Sequence, residues 1–99
     1  MSIVRVGKLR FDSTGYDVRG DVLYLSVGPP RPAMQSVPTP EGHVVRYDTD
    51  GRVIGLTLIS PRAKIERARG VPVTIGKERL VAETEGVEAA MATGTRRSG

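Results

Sequence analysis

His43 is the only imidazole in the chain, so any histidine chemistry has to be built around one position. One histidine cannot make a histidine-rich metal site or pass a proton to a second imidazole. A Ser-His-Asp set can be assembled on paper from His43 with a nearby Ser and Asp, but no Ser sits in a nucleophile-elbow sequence. A half-buried strand histidine explains the residue better. Asp48-Thr49-Asp50-Gly51 looks like a piece of a calcium loop. Aligning Gly51 with the glycine of such a loop puts Arg46 at the first ligand position and Thr57 where the bidentate Glu belongs, so the match fails at both ends. Short polar residues holding a turn account for it. The stretch from Gly70 to Gly76-Lys77-Glu78 has the outline of a phosphate loop. It carries five residues between its glycines where the motif has four, Pro72 removes a backbone donor, and Glu78 replaces the hydroxyl that would hold Mg²⁺. Asp17, Asp21, Asp48 and Asp50 would act as paired acids only if their loops met at one end of a sheet; turn composition explains each of them. With no cysteine there is no thiolate nucleophile, disulfide or sulfur-bound zinc. The residues therefore predict a protein without catalytic, cofactor-binding or metal-binding residues.

Charge offers a different chemistry. The net charge is +4, and twelve of the fifteen basic residues are Arg, whose planar guanidinium suits bidentate phosphate contacts. Arg62, Lys64, Arg67 and Arg69 crowd one short segment, and with Arg96 and Arg97 near the end they could engage a nucleic-acid backbone. No aromatic ladder accompanies them, and Glu66 can pair with Arg62 or Arg69, so an ordinary solvated helix face explains the same pattern.

The elements that would position these residues can be read from periodicity. Residues 42–59 read as a β-hairpin, two β-branched alternating runs flanking a tight turn at Asp50-Gly51. A two-residue type I′ loop pairs Tyr47 with Ile54, Val45 with Leu56 and His43 with Leu58, gathering the bulky groups on one side. A three-residue loop with Gly51 in the left-handed position would instead pair Tyr47 with Val53 and Val45 with Gly55, so the first register is expected. Gly55 has no side chain to pack, which invites a close approach. Val22–Val27 alternates as a strand, Ile3–Val6 and Leu9–Phe11 are short strands broken near Gly7, and Asp12–Gly15 is a turn cluster. From Gly28 to Gly42 lie five of the seven prolines, predicting a loop or frayed edge. Ser60 caps, Pro61 opens and Gly70 closes a helix. Val71–Ile75 is an edge strand. Residues 77–92 fit either a helix starting near Lys77 or a hairpin turning at Gly76-Lys77, and the helix is expected. No internal repeat is apparent, and residues 93–99 read as a disordered tail.

Tyr16-Asp17, Asp21-Val-Leu-Tyr-Leu25 and Val44-Val-Arg-Tyr-Asp-Thr-Asp-Gly-Arg-Val-Ile-Gly-Leu-Thr-Leu-Ile59 together resemble the bacterial domain of unknown function 2283 family over about residues 16–65. The resemblance implies a small antiparallel sheet followed by a helix, no established catalytic residues, and for some members a place in toxin–antitoxin-like gene pairs. This chain departs from the pattern in its proline-rich 28–42 segment and in Arg46, where an acidic residue is common.

The expectation is a single α+β domain over residues 1–92, a small antiparallel β-meander with one or two short helices after the main hairpin. It is non-enzymatic and cytoplasmic, and binds no cofactor, metal or membrane. Its partner is a second copy or a small protein, met through an interaction face of Tyr24, Val45, Tyr47, Ile54, Leu56 and Leu58; the alternative is nucleic acid bound through 61–69 and the tail.

Overall fold

The computed structural model describes residues 3–29, 31–67 and 70–93. In chain order these form β1 (Val4–Val6), β2 (Leu9–Phe11), β3 (Ser13–Asp17), β4 (Val22–Ser26), β5 (Gln35–Pro38), β6 (Val44–Tyr47), β7 (Val53–Ile59), α1 (Pro61–Arg67), β8 (Val71–Ile75), β9 (Glu78–Ala82) and α2 (Thr84–Thr93). The architecture is α+β and dominated by antiparallel strands, but the single meander expected from the sequence is replaced by two sheets, ordered β2-β1-β9-β8 and β3-β4-β7-β6-β5. The reason lies at two places. Asp12 alone separates β2 from β3, so the chain crosses directly from one sheet to the other, and its carboxylate accepts the Gly28 amide at 2.8 Å to pin the far end of β4. The 71–82 segment then returns to the first sheet, where Ala82 pairs with Val6.

Alternation puts one face of each sheet inside. Val4, Val6, Phe11, Val71, Val73 and Ala82 from the smaller sheet meet Tyr16, Leu23, Leu25, Val45, Leu56 and Leu58 from the larger, and α2 adds Val87 and Ala90. Each large aliphatic or aromatic group withdrawn from water contributes roughly 1.5–3 kcal/mol, so this shared core is what holds the sheets together. Gly86 lets α2 lie close: a Cβ there would stand 3.0 Å from the Ile3 carbonyl oxygen.

The main hairpin combines both registers weighed from the sequence. Its loop is the three-residue kind: Asp48 donates to the Arg52 carbonyl at 2.9 Å and Gly51 takes φ +79°. That loop pairs Tyr47 with Val53, yet Arg46 pairs with Gly55 and Val45 with Leu56, because a bulge between Arg46 and Tyr47 absorbs one residue. The bulge keeps Val45, Ile54, Leu56 and Leu58 buried despite the loop. Gly51 suits the left-handed loop position, and burial of the apolar set decides the register beyond it.

Three further expectations change, and a fourth is sharpened. Asp12–Gly15 is largely strand, since Ser13, Thr14 and Gly15 pair with Ser26, Leu25 and Tyr24. Of the loop or frayed edge expected for the proline-rich segment, residues Gln35–Pro38 realise the edge, as strand β5. Residues 77–92 begin as strand and become helix only at Thr84; the hairpin wins because Val73 and Ala82 gain core positions that a helix from Lys77 would deny them. A repeat missed in the sequence also emerges: Val4-Arg-Val-Gly-Lys-Leu-Arg-Phe11 and Val73-Thr-Ile-Gly-Lys-Glu-Arg-Leu80 are hairpins of identical register, Val4 opposite Phe11 and Val73 opposite Leu80, each turning on a Gly with φ near +60° (+61° and +65°).

Candidate functional site: a hydrogen-bonded corner and two outer faces

Several polar side chains meet at the junction of β7 and α1. His43 Nδ1 accepts the Ile59 amide at 3.0 Å, and Lys64 Nζ donates to the Ile59 carbonyl at 2.7 Å and to the Glu41 carbonyl at 3.3 Å. Ser60 donates its amide to the Asp21 carbonyl at 2.8 Å. Asp21 Oδ1 in turn accepts the Tyr16 hydroxyl at 2.6 Å and the Arg62 amide at 3.3 Å. Asp21 and Ser60 both adopt φ above +50° without being glycine, a conformation that costs roughly 1–2 kcal/mol per residue and is held here by the Ser60 amide on the Asp21 carbonyl and by the Asp21 carboxylate on Tyr16 and Arg62. The helix start expected of Ser60 is therefore supplied from elsewhere. Its φ of +57° is not that of an N-cap, and the Asp21 carboxylate caps Arg62 in its place.

The strand–Ser60–helix geometry has the outline of a nucleophile elbow, and His43 lies next to it. The two do not form a catalytic pair. Nδ1 is occupied by the Ile59 amide, and Nε2 faces the interior of a side chain with 0% exposure and makes no hydrogen bond among the described residues. Desolvation, reinforced by the Lys64 ammonium and opposed by Glu41 and the Pro72 carbonyl, lowers the His43 pKa to about 4, so at neutral pH the ring is uncharged with its proton on Nε2. Tyr16 is pushed above its ordinary pKa by burial and then by its bond to Asp21, while Arg62 lies 5.9 Å over its ring.

Glu41 closes a second part of the corner. Burial opposes its ionisation, but the Thr74 hydroxyl at 2.6 Å and the Thr74 amide at 2.9 Å overcome that and hold its carboxyl at about 2. The same bonds seal β8. Along its outer edge Pro72 has no amide proton to offer and the Thr74 amide is taken by Glu41, so the edge cannot readily recruit another strand.

The sequence-predicted residues thus separate. Asp48 and Asp50 lie at the start of β7 and Asp21 at its end, about 20 Å apart at 3.3 Å per residue, so the four carboxylates do not cluster. Asp48 is used by its own turn, where the amides of Arg52 and Asp50, both at 2.9 Å, hold its carboxyl below the usual range. Of the proposed interaction face, Val45, Ile54, Leu56 and Leu58 are buried in this chain's own core and Tyr47 is partly buried against it, because the second sheet covers them. Tyr24 belongs to the opposite face: it pairs with Gly15 and Thr57, and is 51% exposed. Of the proposed nucleic-acid contacts, Lys64 is consumed by the corner, Arg62 stacks on Tyr16, Arg67 is exposed, and Arg69 lies outside the described residues, as do Arg96 and Arg97. The tail expected at 93–99 is outside them from residue 94 onward, Thr93 being the last residue of α2. Gly55 has its close approach, from the Arg46 side chain, which crosses it and donates to the Arg31 carbonyl at 2.5 Å.

What the structure leaves outward is two sheet faces. The larger sheet presents Tyr24 among Gly15, Val22, Val44, Thr57 and Ile59, the last four partly buried. The smaller presents Arg5, Arg10, Arg79 and Val81, all exposed. Among the described residues no helix is long and apolar enough to cross a membrane. No protein-family model, curated protein or solved structure matches the chain.

Proposed function

We propose that this chain is a non-enzymatic interaction module that pairs with a second copy of itself through the outer face of the five-stranded sheet. The observation that carries the reading is Tyr24, half-exposed on β4 beside Gly15 of the edge strand β3, where the absent side chain leaves open space next to a projecting ring. A projecting ring beside an uncovered glycine position on one surface lets the ring of each copy lie over Gly15 of the other, as a two-fold interface requires. Val22, Val44 and Ile59 extend the apolar area around the ring, and tyrosine supplies contact area at low entropy cost. Edge pairing is less favoured, since Pro38 in β5 and Pro72 and Glu41 at β8 remove donors from two sheet edges.

Because the chain has no cysteine, Tyr24→Cys reports the geometry cleanly. In a two-fold face-to-face dimer the variant forms an intermolecular disulfide under mild oxidation, whereas Val81→Cys on the other sheet does not; equal cross-linking of both, or of neither, overturns the reading. A narrower version rests on the resemblance over residues 16–65: the module serves as the antitoxin-like half of a two-gene pair. Co-purification with the product of an adjacent gene supports it, and a neighbouring gene product that fails to bind the folded chain removes it.

A further inference from the structure

The geometry points to the paired Gly-Lys hairpins of the smaller sheet as a docking surface for the phosphate backbone of duplex DNA. This surface is separate from the Tyr24 face. The two hairpins share one sequence pattern and one register. Because β1 is antiparallel to β9 and β9 to β8, both turns, Gly7-Lys8 and Gly76-Lys77, lie at the same end of the sheet. Val6 is level with Val71 through Ala82, so the second turn projects about 13 Å beyond the first at 3.3 Å per residue. The surface is thus stepped, with a lysine on each tread.

Charge selects the occupant. Arg5 and Arg10 are direct cross-strand partners on the outer face, an arrangement of like charges that is destabilising by itself and that a bound anion would relieve. Among the described residues Arg5, Lys8, Arg10 and Lys77 have no carboxylate partner, whereas Arg79 is engaged by Glu41 at 3.5 Å. The β1–β2 hairpin carries three cations and no acid; Glu83 beside Arg5 and Glu78 beside Lys77 are the nearest acidic positions along the strands. The aromatic content selects duplex over single strand. Single-strand binding uses exposed rings as stacking platforms, and none of Phe11, Tyr16, Tyr24 and Tyr47 lies on this face. What remains is backbone contact without base readout.

The test is fluorescence anisotropy of the full chain with a labelled duplex DNA of arbitrary sequence, followed across a salt series. Four unpaired cations predict a log–log salt slope near −3.6, so affinity falls about 100-fold from roughly 50 to 200 mM salt. Replacing Arg5 and Arg10 together by Gln removes about two units of that slope and weakens binding at least about tenfold at the lower salt. The variant relieves a like-charge pair, so its folding is preserved, and circular dichroism verifies this; Lys8→Gln at the turn gives an independent, smaller loss. Arg67→Gln on α1 leaves binding unchanged. Binding that ignores Arg5 and Arg10, that follows Arg67, that is equally tight for single-stranded DNA, or that occurs only on anionic vesicles overturns the proposal.

Discussion

A buried neutral imidazole makes folding pH-dependent in a window that can be stated in advance. His43 has a folded pKa of about 4 against an ordinary 6.5. Between those values the unfolded chain takes up a proton that the folded chain refuses, so stability is fully present above pH 6.5 and falls as the pH drops toward 4. At about 1.36 kcal/mol per pKa unit, the loss from this residue is about 2 kcal/mol at pH 5 and about 3 kcal/mol by pH 4. For a domain of this size a loss of 2 kcal/mol lowers Tm by roughly 8–16 °C. Since the chain has one histidine, its ring protons can be followed by NMR without assignment ambiguity, and chemical denaturation between pH 7.5 and 5 gives the free energy. His43→Gln, whose amide oxygen can still accept the Ile59 amide, should lose stability at pH 7.5 but show little change over this interval. A ring that titrates near 6.5 in the folded protein, or a variant with the same pH slope as the parent, would refute the claim that His43 is a sealed structural acceptor.

Glu41→Gln should destabilise the protein by about 1–3 kcal/mol at neutral pH through loss of its charged bonds to Thr74. Because the folded pKa of Glu41 is depressed to about 2 from 4.5, the gap between parent and variant should persist above pH 4.5 and close toward pH 2 in denaturation curves. Asp21→Ala leaves the Tyr16 hydroxyl and the Arg62 amide unpaired and should cost about 2–3 kcal/mol, whereas Ser60→Gly relieves a φ of +57° and should leave Tm unchanged or slightly raised. Gly70→Ala combines a φ of +88° with a Cβ 2.7 Å from the Ala82 carbonyl oxygen, so a loss of at least about 2 kcal/mol is expected by thermal denaturation.

Local chemistry was legible wherever one residue type had one good use. Gly7 as a break between two short strands, Pro72 in an edge strand and the buried set Val45, Ile54, Leu56 and Leu58 all follow from side-chain size, allowed backbone angles and period-two burial. The long-range choices were not local properties. Whether Leu80 and Ala82 belonged to a helix or a strand depended on Val6 being available as a neighbour 76 residues away. Tyr24 alternates with the buried Leu23 and Leu25 along β4 and so faces away from Leu56 and Leu58, a pairing set by the β4–β7 register between residues more than thirty apart in sequence. The corner was hidden for the same reason: Asp21 caps a helix 41 residues distant, and no spacing rule connects them. The duplicated Gly-Lys hairpin was a visible signal, an eight-residue pattern separated by most of the chain, whose meaning appears only once both copies lie in one sheet.

The account depends most on the Tyr24 face joining two copies, and equilibrium sedimentation over a concentration series tests that most directly. The parent chain should reach twice the 10.6 kDa of one molecule as concentration rises, and Tyr24→Glu, which sets four carboxyl oxygens at the two-fold contact, should remain at 10.6 kDa with its fold intact. A parent that stays monomeric throughout, or a Tyr24→Glu variant that dimerises as readily, would contradict it.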